Sequence, residues 1–432
     1  MIYCELAVAK ESFVGSISIV IEDIYKFKSY GGHIMVNIHE AAKDIFWIGG
    51  SDRRLALFEN LFPLPDGVTY NSYIVKDEKT VLFDTADVSV ADQYFENLEA
   101  ALEGKAPDYL VILHMEPDHC ALISQVVKLY PNVTLVGGAK TFTLLGQFFP
   151  GLDGANKLVV KEGDTLSSGS HTFHFVAAPM VHWPEVLMAY DDATGALFSA
   201  DAFGTFGAFE GSIFADDYDF ASHYLADARR YYANIVGKYG PQVQAVLKKA
   251  AGLDIRCILP LHGPIWRENI AWFIDKYQKW STCTPEHDDV ILIYASLYGH
   301  TASAAEAAAV QIREKSGRNV FVYDVSKTHV SSLIAEIWRC GTIVLFCPTY
   351  NNGIYPPMHA LLTDMQALAV KNRKFAIAQN GSWAPVSGKL IAEELGKLKD
   401  VTVLDNVLTI KSALTEKDAD ALDAFTTAVA QM

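Results

Sequence analysis

What the sequence has little of narrows the reading first. Its six cysteines (Cys4, Cys120, Cys257, Cys283, Cys340 and Cys347) contain no C-x-x-C pair and no disulfide-framework spacing. They read as free thiols of a reducing cytoplasm. No apolar run reaches the length of a membrane span, so no membrane association is expected. No tract is low in complexity. Positive charge is short: 35 Lys and Arg stand against 51 Asp and Glu, a net charge of −16. A polyanion would be repelled, which argues against nucleic acid as a partner. The apolar stretch from Phe13 to Ile21 has neither a basic start nor a small-residue cleavage site, so a signal peptide is not expected.

What is present divides into blocks. The 432 residues suffice for two or three domains, each with its own core. Residues 1–34 are expected to be an N-terminal extension of doubtful role, because Met35 opens a segment that reads as an ordinary domain start; a functional arm is the alternative. From 35 to 281 short strands alternate with helices. Ser281 to Asp289 is polar and holds Pro285, and 282–289 reads as a linker. A second α/β pattern fills 290–432.

The first block centres on His114-Met115-Glu116-Pro117-Asp118-His119, just after the apolar run Tyr109 to Leu113. A strand end holds the backbone still while the following loop lets neighbouring side chains converge. Imidazole and carboxylate together suit iron, zinc or manganese. Three further strand-like runs end in metal-type side chains: His182 after the alternating stretch from His171, Asp201 after a hairpin signal turning at Gly195, and His262 after Cys257 to Leu261. Any one of these alone is more often a hydrogen-bonded turn residue than a ligand. Their recurrence favours a shared site. His171 and His174 fall outside the pattern and read as strand or surface residues.

In the second block three buried-type strands each end in a loop of small, polar and aromatic residues. These are Ser296-Leu297-Tyr298-Gly299-His300-Thr301, Pro348-Thr349-Tyr350-Asn351-Asn352-Gly353 and Asn380-Gly381-Ser382-Trp383-Ala384. The first loop opens an Ala-rich helix, whose unpaired N–H groups and dipole favour a phosphate, although a plain helix cap also explains Thr301. Such loops describe a doubly wound sheet with a flat phosphorylated ligand at its switch point. Tyr350 and Trp383 are candidate ring contacts or loop-base packing. Val401 to Leu404 and a final helix from about Glu416 complete a five-stranded sheet.

The H-x-E-x-D-H motif with the three later ligands resembles the flavodiiron proteins, and the second block resembles flavodoxin. The resemblance covers about residue 35 onward. It implies an α/β chain: a metallo-β-lactamase-like αββα sandwich followed by a flavodoxin-like doubly wound parallel five-stranded sheet. Zinc hydrolases of the first fold usually carry His where this chain has Glu116; a further carboxylate makes a harder, more anionic site that suits iron. By resemblance, His114, Glu116 and His182 hold one iron, Asp118, His119 and His262 hold the other, and Asp201 bridges them. The cofactors implied are FMN, held by the three loops, and a non-haem diiron pair. The third loop departs from the family's Gly-Trp-Ser-Gly form, because Ala384 and Pro385 follow Trp383. The implied activity is reduction of dioxygen to water, of nitric oxide to nitrous oxide, or of both, with electrons from a rubredoxin-like donor or donor reductase. The implied assembly is a head-to-tail homodimer or a dimer of such dimers. The chain ends at Met432 without paired C-x-x-C and is expected to be the simple two-domain form. Two other readings stay open: a zinc hydrolase fused to a flavodoxin module, and an electron-carrier flavoprotein with a non-catalytic first domain.

Overall fold

A computed structural model of the protein describes residues 36–432, and the extension read at 1–34 lies outside them. The first block forms two facing sheets. One runs, edge to edge, β1 (His39–Ala42), β2 (Ile45–Trp47), β3 (Tyr73–Val75), β4 (Val81–Phe83), β5 (Tyr109–Val111), β6 (Thr134–Gly137) and β7 (Asn156–Val159). The other runs β8 (Thr165–Ser167), β9 (Thr172–Ala177), β10 (Leu187–Asp191), β11 (Ala196–Phe198) and β12 (Cys257–Leu259). Central strands such as β3, β4 and β10 are buried along their whole length. That explains why they read as unbroken apolar runs rather than alternating ones. The sheets meet through aromatic rings: Phe83 of β4 stacks on Phe198 of β11 with centroids 3.8 Å apart, and Phe173 of β9 packs edge-on against Phe83. Helix α1 (Ala91–Leu102) covers the first sheet with Tyr94, Leu98 and Leu102 on its buried face, and the chain leaves it through left-handed Glu103.

The β10–β11 hairpin turns where the sequence signals it. Asp191 accepts from the Thr194 backbone N–H at 3.1 Å and the Thr194 hydroxyl at 2.6 Å. Gly195 sits at φ +72, where a Cβ would lie 2.7 Å from the Asp254 carbonyl, so only glycine fits. From Tyr218 to Lys238 the chain is not one continuous helix. It contains Phe220–His223, then α3 (Leu225–Tyr231), then a wide π-type turn at Tyr232–Val236. Aromatic side chains at 231 and 232 are buried there and set the path of the chain.

The second block is a sheet ordered β14 (Val320–Asp324), β13 (His287–Tyr294), β15 (Cys340–Tyr350), β16 (Lys371–Asn380) and β17 (Lys399–Val403). Its pairings along that path are parallel. This is the 2-1-3-4-5 order of doubly wound flavodoxin-like sheets. One feature escaped the sequence reading. The fifth position is split: β17 pairs with the first half of β16, and a further short strand, β18 (Leu408–Ile410), pairs with its second half.

Within the polar stretch read as a linker, Glu286 anchors a clasp. Glu286 has no exposed side-chain surface and binds Arg229 of α3, Lys276 at 2.9 Å and Trp280 Nε1 at 2.8 Å, the latter two on α4 (Ile270–Ser281). Its own N–H donates to the Arg339 carbonyl at the end of α6, where α6 is Val330–Arg339 and α5 is His300–Ser316. Arg373, also buried, donates to the carbonyls of Cys283 and Trp338 at 2.6 and 2.8 Å. Trp338 Nε1 donates to the Trp280 carbonyl at 3.1 Å. These contacts grip the sheet where β13, β15 and β16 begin. No helix among the described residues is long and apolar enough to cross a membrane.

Candidate functional site

The motif lies where β5 gives way to the short helix α2 (Pro117–Cys120), with Pro117 at its first position, a proline-tolerant site. Four side chains, His114, Glu116, His182 and Asp201, bring one ligand atom each to within 4.8 Å of one another; Asp118, His119 and His262 do the same beside them. All are buried. Asp201 faces both groups. One of its oxygens, Oδ2, lies 3.0 Å from His182 Nε2 and 3.4 Å from His114 Nε2. The other, Oδ1, lies 3.1 Å from His119 Nε2 and 3.8 Å from His262 Nε2. Glu116 Oε2 is 3.0 Å from His182 Nε2, and Asp118 Oδ2 is 3.2 Å from His262 Nε2.

Electrostatics bind the cluster together. Burial disfavours charged His114, His119 and His182, but facing carboxylates outweigh it. Asp118 and Asp201 raise His119 to about 9, and Asp201 with Glu116 raises His182 to about 9. Burial works against ionised Asp201 too, yet His119 and His114 hold its carboxyl well below the usual range.

The sequence reading missed the groups that orient these ligands. Glu185 is buried; its Oε1 lies 2.8 Å from His114 Nδ1 and accepts from the Met115 N–H at 3.0 Å. The Thr69 carbonyl lies 2.7 Å from His262 Nδ1. Asp84, at the end of β4, accepts from the N–H groups of Leu113 and His114, and burial pushes its carboxyl up to about 7. Outer contacts of this kind fix ring orientation and tautomer at metal sites. Glu185 follows His182-Trp183-Pro184 and carries no sequence signal beyond being a loop carboxylate. His171 and His174 stay outside the cluster, on Asp191 at 3.0 Å and Asp192 at 2.5 Å.

The three loops of the second block line one cavity of 530 Å³, walled by residues from 296–301, 348–352 and 380–384 together with Ser412. Of the loop residues expected to bind a ligand, Gly299 and Gly353 lie off its wall. Ser296 Oγ accepts from the N–H groups of Gly299 and Ala302 at 3.1 and 3.3 Å, closing the first loop over the start of α5. Gly299 caps α5 at φ +96 with open space where a Cβ would stand. Tyr350 is half-exposed, and Trp383 is 89% exposed on the rim.

Comparison with known proteins follows the same division. Residues 68–263 match the model of the ODP family beta lactamase, and residues 292–424 match that of flavodoxin. An uncharacterized protein of Methanocaldococcus jannaschii is 30% identical over 384 residues, covering 89% of this chain and 96% of that one. The anaerobic nitric oxide reductase flavorubredoxin of Vibrio vulnificus is 30% identical over 357 residues, covering 81% of this chain and 70% of its own. The flavodiiron protein of Giardia intestinalis superposes with a TM-score of 0.86 at 26% identity, over 93% of this chain and 97% of that one. This chain belongs to the flavodiiron protein family. The rubredoxin oxygen:oxidoreductase of Desulfovibrio gigas superposes with a TM-score of 0.85 at 27% identity, over 91% and 98% of the two chains.

As a flavodiiron oxidoreductase it takes FMN and two irons, and the residues present fit both. Asp118 Oδ1 and Oδ2, His119 Nε2, His262 Nε2 and Asp201 Oδ1 are buried without a hydrogen-bond partner, although they lie close together. Lone pairs that converge without forming hydrogen bonds suit cations between them. The flavin cavity offers hydroxyls and a helix N-terminus to a phosphate and aromatic side chains to a flat ring.

Proposed function

We propose that the protein reduces dioxygen to water, nitric oxide to nitrous oxide, or both, with electrons supplied by an external rubredoxin-type donor. The observation that carries this reading is Asp201, whose two carboxylate oxygens face two separate ligand groups at 3.0 and 3.1 Å. In this reading His114, Glu116 and His182 hold one iron, Asp118, His119 and His262 hold the second, and Asp201 bridges. Ser296 to Thr301, Pro348 to Gly353 and Asn380 to Ala384 hold FMN. When bound, the flavin supplies paired electrons released singly, and two adjacent irons supply a reducible clamp for a diatomic molecule. The chain itself holds the ligands rigid through Glu185, Asp84 and the Thr69 carbonyl and keeps bulk water away by burial. Three carboxylates among seven ligands make the site harder than a histidine-rich zinc hydrolase centre.

We further propose that the flavin of one chain serves the metal pair of a second copy in a head-to-tail homodimer. The clasp grips the flavodoxin-like sheet where its strands begin, whereas the FMN loops follow the strand ends. β15 spans 11 residues, so those edges are about 30 Å apart at ~3.3 Å per residue. The metal cluster is near the clasp: Tyr231, next to Arg229 and Arg230, packs 5.5 Å from the His262 ring. Tunnelling weakens steeply over such distances, so a flavin from elsewhere must approach the metals.

The test is iron, zinc and flavin analysis of the purified protein, then anaerobic reduction and side-by-side consumption of each gas. Two irons and one FMN per chain with turnover of at least one gas are expected. Stoichiometric zinc, hydrolase activity and no gas reduction would overturn the proposal.

A further inference from the structure

The flavin cavity has a fourth wall. Because the fifth sheet position is split, β18 runs level with the end of β16, pairing Asn380 with Ile410. The segment after it therefore reaches the same edge as the three FMN loops. Ser412 lines the cavity from this segment and sits at φ +71, a left-handed conformation that a serine rarely adopts unless its surroundings hold it there.

The hydrogen bonds show what holds it. Asn380 Oδ1 accepts from the Ser412 N–H at 3.1 Å, and Asn380 Nδ2 donates to the Ser412 carbonyl at 2.9 Å. The other Nδ2 hydrogen goes to Thr301 Oγ1 at 3.1 Å, in the first loop. Ser412 Oγ donates to Ser382 Oγ at 2.8 Å, in the third loop, and the Gly381 N–H donates to the Ile410 carbonyl at 3.1 Å. Asn380 has both donor hydrogens engaged within the protein. One chain of bonds, Thr301 to Asn380 to Ser412 to Ser382, thus ties the first loop to the start of the third and, through a fourth segment, ties that start to Ser382. It braces the third loop at Asn380 to Ser382, just before Trp383 and Ala384.

We propose that residues 411–413 form a fourth element of the FMN site, with Ser412 a positioning residue that sets the third loop's shape through Asn380 and Ser382. This rests on the assignment of the cavity to FMN. Asn380 then acts as the hub of the brace, and Ser382 is the group whose direction the brace decides.

The test compares the parent with Ser412→Gly, Ser382→Ala and the double variant. Glycine keeps the left-handed backbone without strain and the backbone bonds to Asn380, and removes the hydroxymethyl group that reaches Ser382. FMN dissociation constants are measured by fluorescence after removing and restoring the flavin. Flavin midpoint potentials and visible circular dichroism are recorded on the reloaded proteins, and melting temperatures on the FMN-free forms. Each single variant is expected to weaken FMN about fivefold to tenfold, the effect of one lost hydrogen bond. The double variant should be no weaker than the singles, because both remove one link. The midpoint potential and visible dichroism should shift while FMN-free melting stays unchanged. Dissociation constants within twofold of the parent overturn the inference, as does a loss matched by a fall in FMN-free melting temperature. A parent that binds no FMN overturns the cavity's assignment and the inference with it.

Discussion

At the metal cluster, seven buried side chains converge from separate strand ends and loops. At the flavin cavity, the walls are loop backbone and hydroxyls, and the aromatics Tyr298 and Trp383 stand 92% and 89% exposed on its rim. The first site is defined by which residues are present; the second by the course of the chain around a ligand. A single change should therefore disable the first, while the second should lose affinity in small steps.

The largest effect expected is at Asp201. Asp201→Ala removes the carboxylate that faces both ligand groups. Gas turnover should fall below about one hundredth of the parent and iron content should drop, because among the described residues Asp201 is the side chain that faces both groups. FMN absorbance should persist, since its loops belong to the other sheet. Loss of flavin together with activity would mean general misfolding and break the comparison.

Next is the clasp, which belongs to neither site. Glu286→Gln leaves buried Arg229 and half-buried Lys276 without their counter-charge, and stability should fall by about 3 kcal/mol in denaturant titrations. Burial opposes ionised Glu286, but Arg229, Lys276 and Trp280 outweigh it and bring its carboxyl down to about 2. A depressed folded-state pKa stabilises above the unfolded value and is lost as pH falls. The stability gap between parent and variant should hold at neutral pH and close between about pH 4.5 and 2. A gap that stays constant through that range would contradict the clasp.

Glu185→Gln tests the metal site one layer out. It changes the partner of His114 Nδ1 without replacing any of the seven clustered side chains, and iron affinity should drop about 10- to 100-fold in chelator competition. No change would make Glu185 a bystander. The smallest effect expected is at Trp383, where Trp383→Ala should weaken FMN about fivefold, as befits one exposed aromatic wall.

The same contrast explains what could be read from the sequence. The clustered side chains were legible because His, Glu and Asp recur at successive strand ends of this chain, and the loops because small and hydroxyl residues before a helix suit a phosphate. Glu185 was illegible: its meaning depends on His114, brought to it only by folding. Glu286 lay in a stretch that reads as polar linker, and nothing local reveals that Arg229, Lys276 and Trp280 enclose it. β18 was missed because Leu408-Thr409-Ile410 is too short to show a period. Ser412 owes its place to that strand. Residues defined by distant partners escape a local reading, whether they orient a ligand, join two sheets or brace a loop.

The claim that ties the two sites together is that, within one chain, they do not work on each other. Its most direct test is turnover by verified mixed dimers. One copy carries His119→Ala with Asp201→Ala and cannot hold its metals; the other carries Ser296→Glu, which sets a carboxylate in the phosphate cradle and excludes FMN. Each variant alone should be inactive. A mixed dimer joins the intact flavin of the first copy to the intact metal pair of the second, and partial gas reduction is predicted. Complete inactivity of mixed dimers shown to hold both iron and FMN would contradict the account.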